Sequence, residues 1–183
     1  MVDSATVIEQ TRRWILDVVI GLNLCPFARR VFDASLIRYT VTDAIDPDAL
    51  RTALTEELLS LAATPTEEVE TALLIHPRAL VEFLDYNDFV AETDTLLREL
   101  GLEGVIQIAG FHPRYQFAGT RLDAVENYTN RSPFPMLHLL REESISKVND
   151  DPEKLAEIPR RNIQTLRRLG LAKVQAILRA DST

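Results

Sequence analysis

The chain holds 183 residues, 46% of them hydrophobic, with a formal net charge of −8. That length and apolar content suffice for one sizeable core and do not call for a second, so a single domain over residues 1–183 is expected. The acidic balance opposes non-specific binding to nucleic acid or anionic lipid, which relies on surplus Lys and Arg.

Asp3 and Ser4 offer a helix cap, after which Ile8, Thr11, Ile15, Val18, Val19 and Leu22 recur at helical spacing with Trp14 beside them. Pro26 predicts a rigid break over Leu24 to Phe27, followed by a short helix through Arg29 and Val31. Leu36 to Val41 reads as a strand. Asp46-Pro47 then caps a helix that carries Leu50, Ala53, Leu54, Leu58 and Leu61 on one face and stops before Pro65. The acidic stretch Thr64 to Glu70 suits a solvated loop, and Thr71 to Ile75 a short buried strand. From Pro77 a helical pattern runs through Leu80, Phe83, Leu84 and Val90 to Leu100, with Gly101 as its cap, and Val105 to Ala109 makes a third strand.

Strand, helix, strand, helix, strand is the alternation of parallel pairing through right-handed crossovers. Three strands make a small sheet, so an antiparallel addition is expected. Residues 111–132 show neither period, yet Phe111, Tyr115, Phe117 and Tyr128 predict an ordered loop folded over one strand edge. Ser132-Pro133 is read as opening a helix with Leu137, Leu140, Ser144 and Val148 on one face. Asp151-Pro152 opens another, and a last helix runs from Pro159 through Ile177, with Gly170 as a weak point. The expected fold is α/β, a small sheet of three or more strands, parallel at least in part and covered by helices; a two-layer α+β arrangement is the alternative.

Cys25 is the only cysteine, so no internal disulfide forms and a reducing compartment fits. With no signal-like apolar core near the start and no run of bilayer length, a soluble cytoplasmic protein without membrane attachment is expected.

Candidate chemistry concentrates between Phe111 and Glu142, which hold two of the three histidines and four arginines. Cys25, His76 and His112 each precede proline, which confines them to extended backbone and aims them rigidly. His76 and His112 follow strands and could meet at the carboxyl edge of a parallel sheet, where open α/β sheets bind ligands. His138 and Glu142, four apart on the expected helix, would share one face. Together Cys25, His112, His138 and Glu142 make a thiolate, imidazole and carboxylate set able to bind Zn²⁺ or Fe²⁺, with His112 and His138 as the metal ligands. Without metal, Cys25 would be a nucleophile served by a histidine base. Each has a plainer reading, as a hydrogen-bonded strand end, a surface pair or an inert buried thiol.

Arg114, Arg131 and Arg141 carry guanidinium forks suited to carboxylate or phosphate, with Tyr115 and Asn130 beside them, so a small anionic molecule is the expected ligand. Asp123, Glu126 and Glu142 could instead absorb the arginines in salt bridges. The basic C-terminal stretch with Arg160, Arg161, Arg167, Arg168 and Lys173 reads as a solvated helix face, and a nucleic-acid partner is not expected.

The blocks NLCPFA from Asn23, TALLIHP ending at Pro77, FLDYNDF from Phe83, FHPRYQF from Phe111, NYTNRSPFPMLHLLRE from Asn127 and IPRRN from Ile158 are spread along the chain, and the match they make extends over nearly all of it. Together they resemble a bacterial family catalogued as domain of unknown function 1415. The resemblance implies a compact bacterial protein and assigns no activity, substrate, cofactor or catalytic residue. The residues themselves point to a small-molecule enzyme acting on an anionic substrate at a Cys, His and Glu site with or without metal. The alternative is a non-catalytic module that binds a phosphorylated metabolite or a protein partner through the arginine-rich loop.

Overall fold

Four strands form one mixed sheet: β1 (Ile37–Val41), β2 (Thr71–Ile75), β3 (Ile106–Phe111) and β4 (Met136–Arg141). The computed structural model describes residues 3–148 and 152–180. The spatial order is β1-β2-β4-β3, with β1 parallel to β2 and β4 antiparallel to both of its neighbours. The three strands expected from sequence therefore run the same way, and the antiparallel addition is wedged between two of them.

That addition corrects the helix read from Ser132-Pro133. Leu137, Leu140 and Ser144 do fit a helical period, but Met136, Leu137 and Leu139 are all fully buried. An apolar run buried on both faces belongs to a central strand, and over six residues the two readings share one pattern. Helix begins only afterwards, as α5 (Glu142–Val148).

α1 (Ser4–Trp14) starts where the sequence predicts, with the Asp3 carboxylate accepting the Thr6 N–H at 3.2 Å. It continues as a π-helical turn, Ile15–Ile20, in which the N–H groups of Gly21 and Leu24 reach five residues back to Leu16 O and Val19 O, at 2.9 and 2.8 Å. α2 (Ala28–Asp33) follows the break at Pro26. α3 (Pro47–Ala63) opens on Asp46, whose carboxylate accepts the Ala49 N–H at 2.8 Å. α4 (Phe83–Glu99) begins later than the helical pattern suggests, because residues 77–82 form a loop with Leu80 in the left-handed region at φ +51°. α6 (Pro152–Leu169) passes through Pro159 without ending, which merges the two helices expected there; Asp151, the expected cap, lies outside the described residues. Gly170, at φ +80°, then separates α6 from α7 (Leu171–Ala180).

Side-chain alternation along the strands sorts the core into two halves. Ala72, Leu74, Leu137 and Leu139 pack against Leu50, Leu54 and Leu58 of α3 and Leu96 and Leu97 of α4. Leu73, Ile75 and Met136 face Trp14, the π-helical turn, Leu166 of α6 and Val174 of α7. Each such leucine or valine contributes about 1.5–3 kcal/mol by leaving water. Among the described residues no helix is long and apolar enough to cross a membrane.

The loop after β3 is ordered around Asn127, which is fully buried. Its Oδ1 accepts from Phe117 N–H at 3.0 Å and Thr120 Oγ1 at 2.8 Å, while Nδ2 donates to Arg121 O at 2.8 Å. Asn130 finishes the outer edge of β3, donating from Nδ2 to Gly110 O at 3.2 Å and accepting the His112 N–H at 3.1 Å. Those edge groups are thereby shielded from pairing with another chain.

Candidate functional site

Between the sheet and the segment from Trp14 to Val31 lies a cavity of about 480 Å³. Its sheet side is Leu73, Ala109, Phe111, His138 and Leu140, and its helical side includes Trp14, Ile15, Val19, Cys25 and Phe27. The register explains the empty space. His138 stands between Leu73 of β2 and Ala109 of β3, and the small Ala109 side chain leaves room over the middle of the sheet. Ile158 and Pro159 of α6 supply a further wall.

His138 is the polar centre of this cavity. The Thr71 hydroxyl gives its single proton to Leu139 O at 2.6 Å, so it must accept from His138 Nε2 at 2.8 Å. That bond fixes the tautomer, with the proton on Nε2 and the lone pair on Nδ1. Among the described residues Nδ1 has no hydrogen-bond partner, and it is not sealed from water. The ring keeps some accessible surface although it lies deep in the molecule, because it faces the cavity. Burial pushes its pKa down to about 4, which makes it neutral near pH 7.

Cys25 lines the same cavity, and its loop is fastened by α6: Asn162 Nδ2 donates to Leu24 O at 2.7 Å and Arg161 to Asn23 O at 3.1 Å. The NLCPFA and IPRRN blocks thus meet. Burial raises the thiol above its ordinary pKa, opposed by the backbone N–H groups of Phe27 and Ala28 and by the Arg161 charge. No hydrogen bond joins the thiol to His138, and both side chains line the cavity. At the rim the buried Glu70 carboxylate is paired with Arg30.

The other expected site residues do not join this pair. His112 follows Phe111 and so points to the opposite side of the sheet, where its ring lies 5.0 Å from Tyr86 and 5.5 Å from Phe83. Its Nδ1 accepts the Arg114 N–H at 3.0 Å and its Nε2 donates to Leu80 O at 3.2 Å, leaving neither nitrogen open to a metal. Burial lowers its pKa as well. Glu142 is the first residue of α5 and not on a helix shared with His138; four residues of strand separate Cα atoms by about 13 Å. Among the described residues no group of three or more His, Cys, Asp or Glu side chains is arranged to hold a metal ion.

The substrate-binding candidates are occupied with architecture. Arg114 donates to Val81 O at 2.9 Å and pairs with Glu82. Tyr115 packs between Phe83 and Phe117. Arg131 donates to Tyr115 O and Leu122 O, at 3.1 and 2.7 Å, and lies over the Tyr128 ring. Arg141 does touch the cavity rim, but its guanidinium donates to Leu61 O and Thr64 O, both at 2.6 Å, where a cation meets the negative end of α3. Asn130 serves the edge of β3.

His76 and His112 do come together against Tyr86, with ring centroids 5.8 and 5.0 Å from it. They are at the carboxyl edge of β2 and β3, whereas the cavity lining reaches the other end of these strands, at Thr71 and Gln107. Sequence reasoning passed over Thr71 and Ala109. The only available signals were a hydroxyl opening a buried strand and a small residue inside an apolar one.

No curated protein and no solved structure matches the chain. A family model described as "Protein of unknown function (DUF1415)" matches residues 6–176, and the chain belongs to that family.

Proposed function

We propose that this protein holds a small, largely apolar molecule in the cavity between the sheet and the π-helical turn. The supporting observation is a mostly apolar enclosure lined by His138, whose Nδ1 has no hydrogen-bond partner among the described residues. Ligand sites are typically concave, mostly apolar, about 300–1,000 Å³ in volume and equipped with few polar groups, and this cavity has that character. The test is binding of the neutral dye Nile red. Its emission should rise with the wild-type protein and stay flat with Ala109→Phe, which fills the cavity floor; equal binding by both proteins overturns the reading.

A second reading, that the molecule is transformed, rests on Cys25 lining the same space. Its sulfur would attack an activated apolar ester while the thiol proton passes to His138 Nδ1 and then to the departing alkoxide, leaving an acyl group on sulfur. Intact mass after incubation with nitrophenyl butyrate should show one acyl adduct, absent in Cys25→Ser. No adduct on the wild type would leave binding alone. The arginine-rich loop contributes to neither reading, because Arg114 and Arg131 are already bonded to carbonyl oxygens.

A further inference from the structure

Resting on the cavity reading, the geometry points to the class of ligand: an uncharged molecule with an apolar body and one hydrogen-bond donor, an alcohol or phenol in kind, whose proton is accepted by His138 Nδ1. We propose this in place of the anionic ligand that the arginines suggested.

Three observations carry it. Thr71 pins the proton of His138 on Nε2, so the cavity presents an acceptor and requires a donor from its occupant. The cations beside the cavity are each already engaged through one nitrogen, Arg30 with the buried Glu70 and Arg141 with carbonyls of Leu61 and Thr64, while Arg141 Nε has no partner among the described residues. Glu70 also lines the cavity, so a ligand carboxylate would meet a like charge in poorly solvated surroundings. A ligand without a donor would fit the apolar walls but leave Nδ1 unpaired.

Trp14 is the only tryptophan and lines the cavity, which makes its fluorescence a reporter of occupancy. Three probes with one ring system separate the possibilities: naphthalenemethanol, methylnaphthalene and naphthoate. The alcohol should bind about tenfold more tightly than the methyl compound, one hydrogen bond's worth, and the carboxylate about 100-fold more weakly than the alcohol. In His138→Leu the alcohol should lose its advantage over methylnaphthalene while methylnaphthalene binds as before. In Thr71→Val, which frees the tautomer, that advantage should shrink with the cavity walls intact. Equal binding of all three probes, or preference for naphthoate, overturns the ligand class while the cavity reading stands. If no probe quenches Trp14 and Nile red also fails to bind, the cavity reading falls and the ligand class with it.

Discussion

His76 and His112 hold consecutive carbonyls of one loop: His76 Nδ1 lies 3.0 Å from Ala79 O, and His112 Nε2 lies 3.2 Å from Leu80 O. Arg114 takes the next carbonyl, Val81 O, at 2.9 Å. Three side chains from two strand ends thus fix a loop whose Leu80 sits at φ +51°, a conformation costly for a leucine.

The neutrality of these rings sets a pH dependence. Burial lowers the His76 pKa from 6.5 to about 4, so between those values the unfolded chain binds a proton that the folded protein does not. Stability is complete above pH 6.5, falls as the pH drops toward about 4, and levels off below that, with about 3 kcal/mol from His76 at most. Urea denaturation near pH 7 and near pH 5 measures the loss. His76→Gln, which keeps a donor for Ala79 O and does not titrate, should reduce the slope and leave the share of His138, whose pKa burial also lowers to about 4, and of His112; an unchanged slope would show that His76 contributes nothing to it.

Gly110 and Tyr86 are coupled through space. A Cβ at residue 110 would lie 2.6 Å from the Tyr86 hydroxyl, which donates to Met136 O at 2.8 Å. Gly110→Ala should destabilise by about 1–3 kcal/mol through displacement of that hydroxyl. Because Tyr86→Phe removes the same bond, the two changes together should cost less than their sum. Strict additivity in a thermal or urea cycle would rule out the coupling.

Arg141 separates an architectural role from a ligand role. Replacement by Met leaves the carbonyls of Leu61 and Thr64 without their charged donor and should cost about 3 kcal/mol in stability. Nile red affinity, measured where the variant is still folded, should stay within about twofold. A stable variant with abolished binding would return Arg141 to the list of ligand contacts.

The Cys25 thiol should react slowly near neutral pH, since burial raises its pKa, and faster with neutral N-ethylmaleimide than with anionic iodoacetate. Asn162→Ala frees Leu24 O and should loosen the loop, raising the alkylation rate several-fold. Rates equal to those of the wild type would mean that the clasp from α6 does not control access.

Legibility from sequence followed the strength of local signals. α3 was readable because Asp46-Pro47 and the spaced leucines agree, and β2 because Thr71 to Ile75 is short and wholly apolar after its first residue. β4 was not, since MLHLLR satisfies a helix and a buried strand alike. That single misreading put Glu142 beside His138 and hid Thr71 as its partner. Cys25 and His138 were singled out for their chemistry, and they do line one cavity. His112 was grouped with them although strand alternation after Phe111 sends it to the other half of the core, a distinction that needs the register.

β4 is last of the strands in the chain yet central in the sheet, and β3 finds its strand partner only there. During synthesis, which proceeds from the N-terminus, β3 leaves the ribosome with its pairing groups unmet until residues 136–141 follow. Closure of the sheet is therefore a late event that joins distant segments, the kind of topology that folds slowly. Nascent chains halted before Met136 would carry an open strand edge, and these fragments are where chaperone dependence and aggregation of this protein should concentrate.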